Sequence, residues 1–515
     1  MRLTKRNLEI AVFIAVMAAA IFLRLWQIRD YVVFLGDEGR DMIVMRNMIL
    51  EKRPVFLGPT ASVGGFYLGP IYYWMAAPFL ALAGFDPVGP SIMVALFSVA
   101  TVLLLFKFLK EISGFWPAIL ASSLYSFSPL ILRYSRSSWN PNPLPFFALL
   151  MMYCIYQGII RVNKTNQQIT TKAKLRNLAF FLVAGLSFGI AIQLHYLSIM
   201  LIPLSVLIIV LNTNPRKWPL IGAVLSVGSV ITFSPFLIFE IRHSFPNFKT
   251  IYEFVTRKTT HGFKITNIFW VISNFGNIFL EEISKLNGTS LTRNVFWSLT
   301  VGNLFIIAKS WRHSSKRLAY TLGFIWFIGG LSFLRFYSGQ IFDYYYGFMF
   351  PAPFFVFGLI AGELWQKNTF KLIFISATIL IAALFLDRGF WKSPPNRLIN
   401  QTAAVADFVA QKSENKQYNF ALISEHNSDH AYRYFLEIKK AKPLDLETLV
   451  TDQLLVVCES KKCAPLGYPS WEIAGFGRAE IQKEWELPDI GIKVFRLTHW
   501  PGVPNPTGKP AQKGQ

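Results

Sequence analysis

Residues 34–74 read "FLGDEGRDMIVMRNMILEKRPVFLGPTASVGGFYLGPIYYW" and follow an apolar run, 8–26, of helical membrane length. They hold Asp37, Glu38, Arg40 and Asp41 within five positions. From Glu38 to Lys52 the residues Met42, Met45, Met48 and Ile49 recur on one helical face, with Arg40, Asn47, Glu51 and Lys52 largely opposite. The spacing predicts a helix lying flat on a membrane surface. Asp37 and Glu38 fall at its N-terminus, where acidic groups are favoured, so helix capping and a chemical role are both open readings. Capping does not account for the glycine-rich stretch that follows, "LGPTASVGGFYLGP", whose bare backbone lets a ligand come close; a solvated loop is the alternative.

The rest of the chain decides which surface this is. Of 515 residues, 53% are hydrophobic, 16% aromatic and only 16% charged, more apolar surface than a soluble protein of this size can cover. Apolar segments at 8–26, 88–106, 115–132, 143–160, 178–194, 196–211, 219–239, 295–308, 318–334, 345–362 and 372–386 predict an α-helical polytopic membrane protein with about eleven transmembrane helices. The net charge of +22 lies in short runs between these segments, which points to topology and anionic lipid headgroups and excludes a nucleic-acid partner. The loop 161–176, "RVNKTNQQITTKAKLR", is basic without an acid and reads as cytoplasmic, like the N-terminus "MRLTKR". An even number of crossings must separate them. The stretch 66–85, broken by Pro70 and Pro78, is therefore read as a helix dipping into the outer face without crossing. An aromatic stretch within the long external segment 240–294, "NIFWVISNFGNIFLEEI", is read as lying on the membrane surface.

Residues 1–390 then form the membrane domain, with a first external loop at 27–87. Residues 391–500 read as a small extracytoplasmic α/β domain, from a helix at 402–413, a strand "YNFALIS", a helix "DHAYRYFLEIKK" and an apolar "QLLVVCE". Residues 501–515 read as a disordered tail. Cys458 and Cys463 in "CESKKC" form a small disulfide loop if this region faces an oxidising space, and remain two thiols otherwise.

No predicted span carries an ionisable residue at its centre, as transporters and pumps usually do. The polar chemistry gathers on the outer side, which favours an enzyme at the membrane surface; a transporter or flippase of a lipid-linked sugar is the alternative. Besides the acidic cluster, candidates are Tyr67, then Arg136, Asn140 and Asn142 in "RYSRSSWNPNP", His195 in "QLHYLS", Arg335, and Tyr345 in "FDYYYGFMFP". Ordinary anchoring, capping and aromatic-belt roles stand beside each.

The motifs "GDEGRDM", "GPTASVGG", "LGPIYYW", "SRSSWNPN" and "YYYGFMFPAP" resemble bacterial polytopic glycosyltransferases of the GT-C class, in the family 39, protein-mannosyltransferase-like branch, over residues 5–365. The resemblance implies a sugar donor linked through phosphate to a polyprenol, an acceptor (glycan, lipid or protein) outside the cytoplasm, and inversion at the anomeric carbon. It implies an acidic catalytic residue in the first external loop, matched by Asp37 with Glu38 beside it, and a place in the plasma or inner membrane serving envelope glycosylation. In a single displacement one carboxylate takes the acceptor proton. Glu38 and Asp41 support it or position the acceptor, Arg40 stands with Asp41 among the substrate-binding candidates, and the leaving phosphate needs charge neutralisation, for which Arg136, His195 and Arg335 are the candidates. Some relatives carry acidic metal ligands where this chain has the amides Asn140 and Asn142, so no cofactor is expected and a divalent metal is not favoured.

The topology is testable by cysteine labelling. A cysteine introduced at Thr165 is expected to stay unreactive to an impermeant reagent in intact cells, and one at His430 to react. Labelling at Thr165 would invert the assignment.

Overall fold

The computed structural model describes residues 4–61, 64–164, 171–256, 271, 274–275, 289–310, 314–336, 341–387, 389–460 and 462–502. The surface stretch expected within 267–283 and the tail beyond 502 lie almost wholly outside the described residues, as does the middle of the 161–176 loop. Contacts divide the chain into two units. A membrane unit comprises 1–28, 53–79 and 89–394; a sheet unit comprises 29–52, 80–88 and 395–515. The partition differs from the expected one, because part of the first external loop groups with the C-terminal sheet.

The membrane unit is a set of apolar helices. α1 (Lys5–Leu25) starts at Thr4, whose side chain accepts from Asn7 N at 3.3 Å. α2 (Gly36–Leu50) belongs to the sheet unit. α3 (Ile71–Leu82) has 12 residues and contains Pro78. At about 1.5 Å per residue it falls well short of a bilayer core of about 30 Å. Next come α4 (Val88–Ser113), α5 (Phe115–Phe127), α6 (Leu144–Lys164), α7 (Thr171–Leu194), α8 (Leu201–Asn212), α9 (Trp218–Arg242) and α10 (Pro246–Thr256). α11 (Thr289–Ser310), α12 (Ser314–Phe324), α13 (Ala352–Leu364) and α14 (Asn368–Asp387) complete the unit. A π-helical turn, Ile325–Gly329, and a short helix, Gly330–Leu334, prolong α12.

Helices thus stand at all the expected segments. Among the described residues, seven are long and apolar enough to cross a membrane, or eight if the bent pair Asp343–Met349 and α13 forms one span. α5 is short, with 13 residues, and α11 carries Arg293, Asn294 and Lys309, which dilute its apolarity. α7 and α9 pack with backbones nearly touching: a Cβ on Gly185 would lie 2.1 Å from Leu225 O, and one on Gly228 2.4 Å from Leu182 O. Small residues allow this approach, and Ser229 and Thr232 use it to bond the carbonyls of Gly185 and Leu186 at 3.2 and 3.1 Å.

In the sheet unit, α15 (Leu398–Lys412) and α16 (His430–Ile438) accompany β1 (Asn419–Ile423), β2 (Gln453–Cys458), β3 (Ala479–Leu487) and β4 (Ile492–His499). The sheet order is β1-β2-β4-β3. β1 and β2 are parallel, joined through α16, and the other two pairings are antiparallel. The expected strands "YNFALIS" and "QLLVVCE" are β1 and β2. Their inward residues Ala421, Ile423, Leu454 and Val456 meet Phe495 and Leu497 of β4 in one core. Cys458 and Cys463 form a disulfide.

α2 is where the sequence expectation of a helix lying on lipid is corrected. It packs on α16, with Met42 and Met45 fully buried. The reason is Gly39: a Cβ there would fall 2.3 Å from Ala431 N, so only glycine lets the helices close. Gly39→Val is therefore expected to overpack this contact, costing roughly 1–3 kcal/mol and lowering the thermal unfolding midpoint of the purified protein. Gly222→Ala in α9, whose Cβ meets nothing within 4 Å, should leave it unchanged.

Candidate functional site

The sheet unit holds the acidic cluster. Leu35 precedes α2 in extended conformation, and Glu38 reaches back so that its Oε2 accepts from Leu35 N at 3.0 Å. The cap is therefore Glu38, not Asp37. Gly36 N donates to Asn427 Oδ1 at 2.9 Å, and Asn427 is itself held by Glu459 at 2.9 Å, which also receives the Tyr432 hydroxyl at 2.6 Å. A Cβ on Gly36 would strike Ser428 Oγ at 1.8 Å, so a glycine is required there too. With the first donors of the helix satisfied, Asp37 stays outward: its side chain is 61% exposed and pairs with Arg40 Nη1 at 3.0 Å. The same guanidinium grips the fully buried Asp41 at 2.8 and 3.0 Å.

Burial pushes the Glu38 carboxyl up to about 7, with the neighbouring Asp37 and Asp41 charges adding to it and its backbone hydrogen bonds opposing. Among the described residues, no group of three or more His, Cys, Asp or Glu is arranged to hold a metal ion.

The membrane unit holds the other candidates. His195 caps the 3-10 turn Tyr196–Met200, its Nδ1 accepting from Leu197 N at 3.2 Å, which leaves the ring proton on Nε2. Burial lowers its pKa to about 3, so with no ligand beside it the ring is neutral rather than the cation expected from the sequence. His195 stacks on Tyr196 at 4.7 Å and meets Tyr344 and Tyr345 at 5.6 and 5.1 Å. Asn140 Nδ2 donates to Leu194 O at 2.7 Å, fixing the helix end that presents His195. Asn142 instead closes its own loop, donating to Ser137 O at 2.7 Å.

Beside Tyr196 an apolar cavity of about 470 Å³ opens, walled by Tyr67, Phe233, Phe236, Phe254 and Phe336 among others. Arg335 lies with its guanidinium 6.0 Å from the Phe336 ring. Tyr67, His195, Arg335 and Tyr345 are thus gathered at or beside one cavity. Arg136 is not. It is buried, donates to Leu23 O and Trp26 O at 2.6 and 2.8 Å, and covers the Phe390 ring at 3.8 Å. It holds the carbonyls at the end of α1, where a cation is favoured.

Two residues escaped the sequence reading. Asn427 gives no signal, since an amide in a polar loop looks like any other. Gln193 does give one, being polar within an apolar span. It is fully buried, its Nε2 donates to Gly189 O and Thr232 O at 2.6 and 2.8 Å, and its side chain passes against Gly69 of the cavity wall.

Residues 68–239 match the family described as dolichyl-phosphate-mannose-protein mannosyltransferase. A sequence comparison with curated proteins finds no match. In structure the chain is similar to ArnT from Cupriavidus metallidurans in the apo state, at 13% identity and a TM-score of 0.60, covering 96% of this chain and 98% of that one. ArnT bound to undecaprenyl phosphate gives 14% and 0.57, with 95% and 97% covered. The oligosaccharyltransferase AglB from Archaeoglobus fulgidus, solved with an inhibitory peptide and a dolichol-phosphate, gives 12% and 0.54, with 88% and 69% covered. The fold is that of the GT-C glycosyltransferases. The family match covers 68–239, about a third of the chain, and the apolar helices around it are those of a multi-pass membrane protein.

The raised Glu38 pKa has a fixed sign. The folded state holds this proton more tightly than the unfolded chain does, so its stability contribution is complete below pH 4.5 and lost as pH rises to about 7. The change is on the order of 3 kcal/mol. Infrared spectroscopy is expected to show a buried protonated carboxyl that disappears with a midpoint near pH 7. Glu38→Gln should remove both the band and this slope; a band that persists unchanged in that variant belongs to another acid.

Proposed function

We propose that the protein transfers a sugar from a polyprenyl-phosphate carrier to an acceptor hydroxyl, with inversion, on the extracytoplasmic side of the plasma or inner membrane. The observation that carries this reading is the aromatic-walled cavity of about 470 Å³ with His195 and Arg335 beside it. Burial of a prenyl tail in such a cavity yields about 25 cal/mol per Å² of apolar area. The phosphate leaves as an anion, and Arg335 meets its charge while the neutral His195 offers an Nε2–H donor. Asn140 fixes the helix end that carries His195 through the Leu194 carbonyl, and Tyr345 packs against the ring. Arg136 has no part in this proposal, since the end of α1 engages it.

Asp37 is the general base. Its exposed carboxylate is oriented by Arg40 at 3.0 Å, and the attacking hydroxyl passes its proton there as the sugar–phosphate bond breaks. Glu38 and Asp41 act through Asp37, one by capping its turn and one by fixing Arg40. No metal is required, because the leaving group is already a stable anion. The acceptor is a hydroxyl on a glycan, lipid or protein. The basic loops support a cytoplasmic N-terminus, and the Cys458–Cys463 disulfide supports an oxidising space for the sheet unit.

Turnover of a polyprenyl-phosphate sugar by purified Asp37→Asn is expected to fall roughly 10²–10⁴-fold with the fold intact. The wild-type protein should retain turnover in chelator. Near-normal turnover of the variant would remove Asp37 from the chemistry.

A further inference from the structure

The sheet unit contains a second chamber, of about 450 Å³, that neither the transfer chemistry nor the family match uses. Tyr468, Pro469, Ile473, Arg478 and Trp500 are among its walls. We propose that it binds a negatively charged sugar residue, a uronate or a sugar phosphate, as part of the acceptor; the acceptor assignment rests on the transfer reading above.

The chamber has a built floor. Ile473 and Leu497 belong to the core of the sheet, and Cys463 and Tyr468 pack against that core, so the 463–473 segment is anchored at both ends. Ser470 caps the short helix Trp471–Ala474 by accepting from Ile473 N at 3.4 Å. At the rim, Trp500 N donates to Arg478 O at 3.1 Å, which sets the backbones of the two residues side by side. Gly467 and Gly477, at φ +77° and +92°, turn the backbone on either side without a Cβ and leave its polar edges bare to a ligand.

The chemistry of these walls selects the occupant. Trp500 is 55% exposed, an apolar ring held at the mouth of a cleft. The face of an indole is the negative end of its quadrupole. A pyranose presents on one side a patch of C–H bonds that is apolar and faintly positive, which matches that face. Among the described lining residues Arg478 is the one that carries a charge, and a carboxylate or phosphate takes a planar guanidinium in bidentate fashion. A purely apolar ligand would strip water from that guanidinium and return nothing. A lipid surface would suit a convex patch, and this one is concave, with a volume inside the usual range for small-ligand sites.

Saturation-transfer NMR on the purified full chain, with digalacturonate as probe and neutral digalactose as comparison, tests the site. Transfer to the ring protons of digalacturonate is expected, weaker transfer to digalactose, and roughly tenfold weaker affinity in Arg478→Glu and in Trp500→Ala. Both side chains are exposed, and polyprenyl-phosphate binding should be unchanged in both variants, which keeps the result separate from the donor reading. Silence with both sugars, or equal signals in the wild type and both variants, overturns the site while leaving the transfer reading intact. Sugar binding without any transferase turnover would sink the transfer reading and keep the site. Loss of binding to anionic vesicles in Trp500→Ala, with the sugars silent, would assign the patch to lipid and overturn the proposal.

Discussion

The approach of α2 to α16 through Gly36 and Gly39 is the constraint on which the acidic cluster depends. A helix begins with backbone N–H groups that lack intrahelical partners, and an acidic residue nearby is ordinarily drawn to them. Here Glu38 takes one, at Leu35, and Asn427 takes the next, at Gly36. Asn427 can reach only because neither glycine carries a Cβ in a space occupied by Ser428 and Ala431. Asp37 is thereby released from capping and turns outward to Arg40. Conformation, packing and the state of one carboxylate are a single chain of cause, and either glycine breaks it if replaced.

The same region shows what a sequence can and cannot carry. The helix from Glu38 onward was legible from the spacing of Met42, Met45, Met48 and Ile49, and so was the presence of acids at its start. The surface it covers was not. An apolar stripe is satisfied equally by lipid and by a protein face, and the deciding fact, two glycines meeting the chain some 390 positions later, is not a local pattern. The strands "YNFALIS" and "QLLVVCE" were legible because both faces are buried and apolar. β3, "AEIQKEWEL", was missed because most of its residues face water and its apolar signal is thin. Likewise Arg136 reads in sequence as an anion-binding cation, since the carbonyls of Leu23 and Trp26 that engage it lie over a hundred positions away.

The fate of the arginines in the membrane unit follows from the cost of leaving helix ends bare in a poor solvent. Arg24 is fully buried and donates to Ser98 Oγ, Ala20 O and, more weakly, Ser126 O, at 2.7, 3.1 and 3.4 Å. Arg136 takes the next carbonyls along the same chain segment. Two cations therefore bond carbonyls near the end of α1, where the helix dipole is negative. Their charges are matched to carbonyl dipoles already in place, so neither is suited to gaining and losing a phosphate in each cycle.

Among the described residues, Arg335 and a neutral imidazole stand beside the apolar cavity, a balance that suits the proposed leaving group. A cavity that held several fixed cations would bind the released polyprenyl phosphate as firmly as the activated donor, and tight product binding does not raise turnover. A neutral Nε2–H strengthens as negative charge accumulates on the departing oxygen, without a standing attraction of ionic size in the ground state. The ring keeps that form because burial opposes its protonation. The aromatic packing of Tyr196, Tyr344 and Tyr345 that excludes water is thus the same feature that sets the electrostatics of His195.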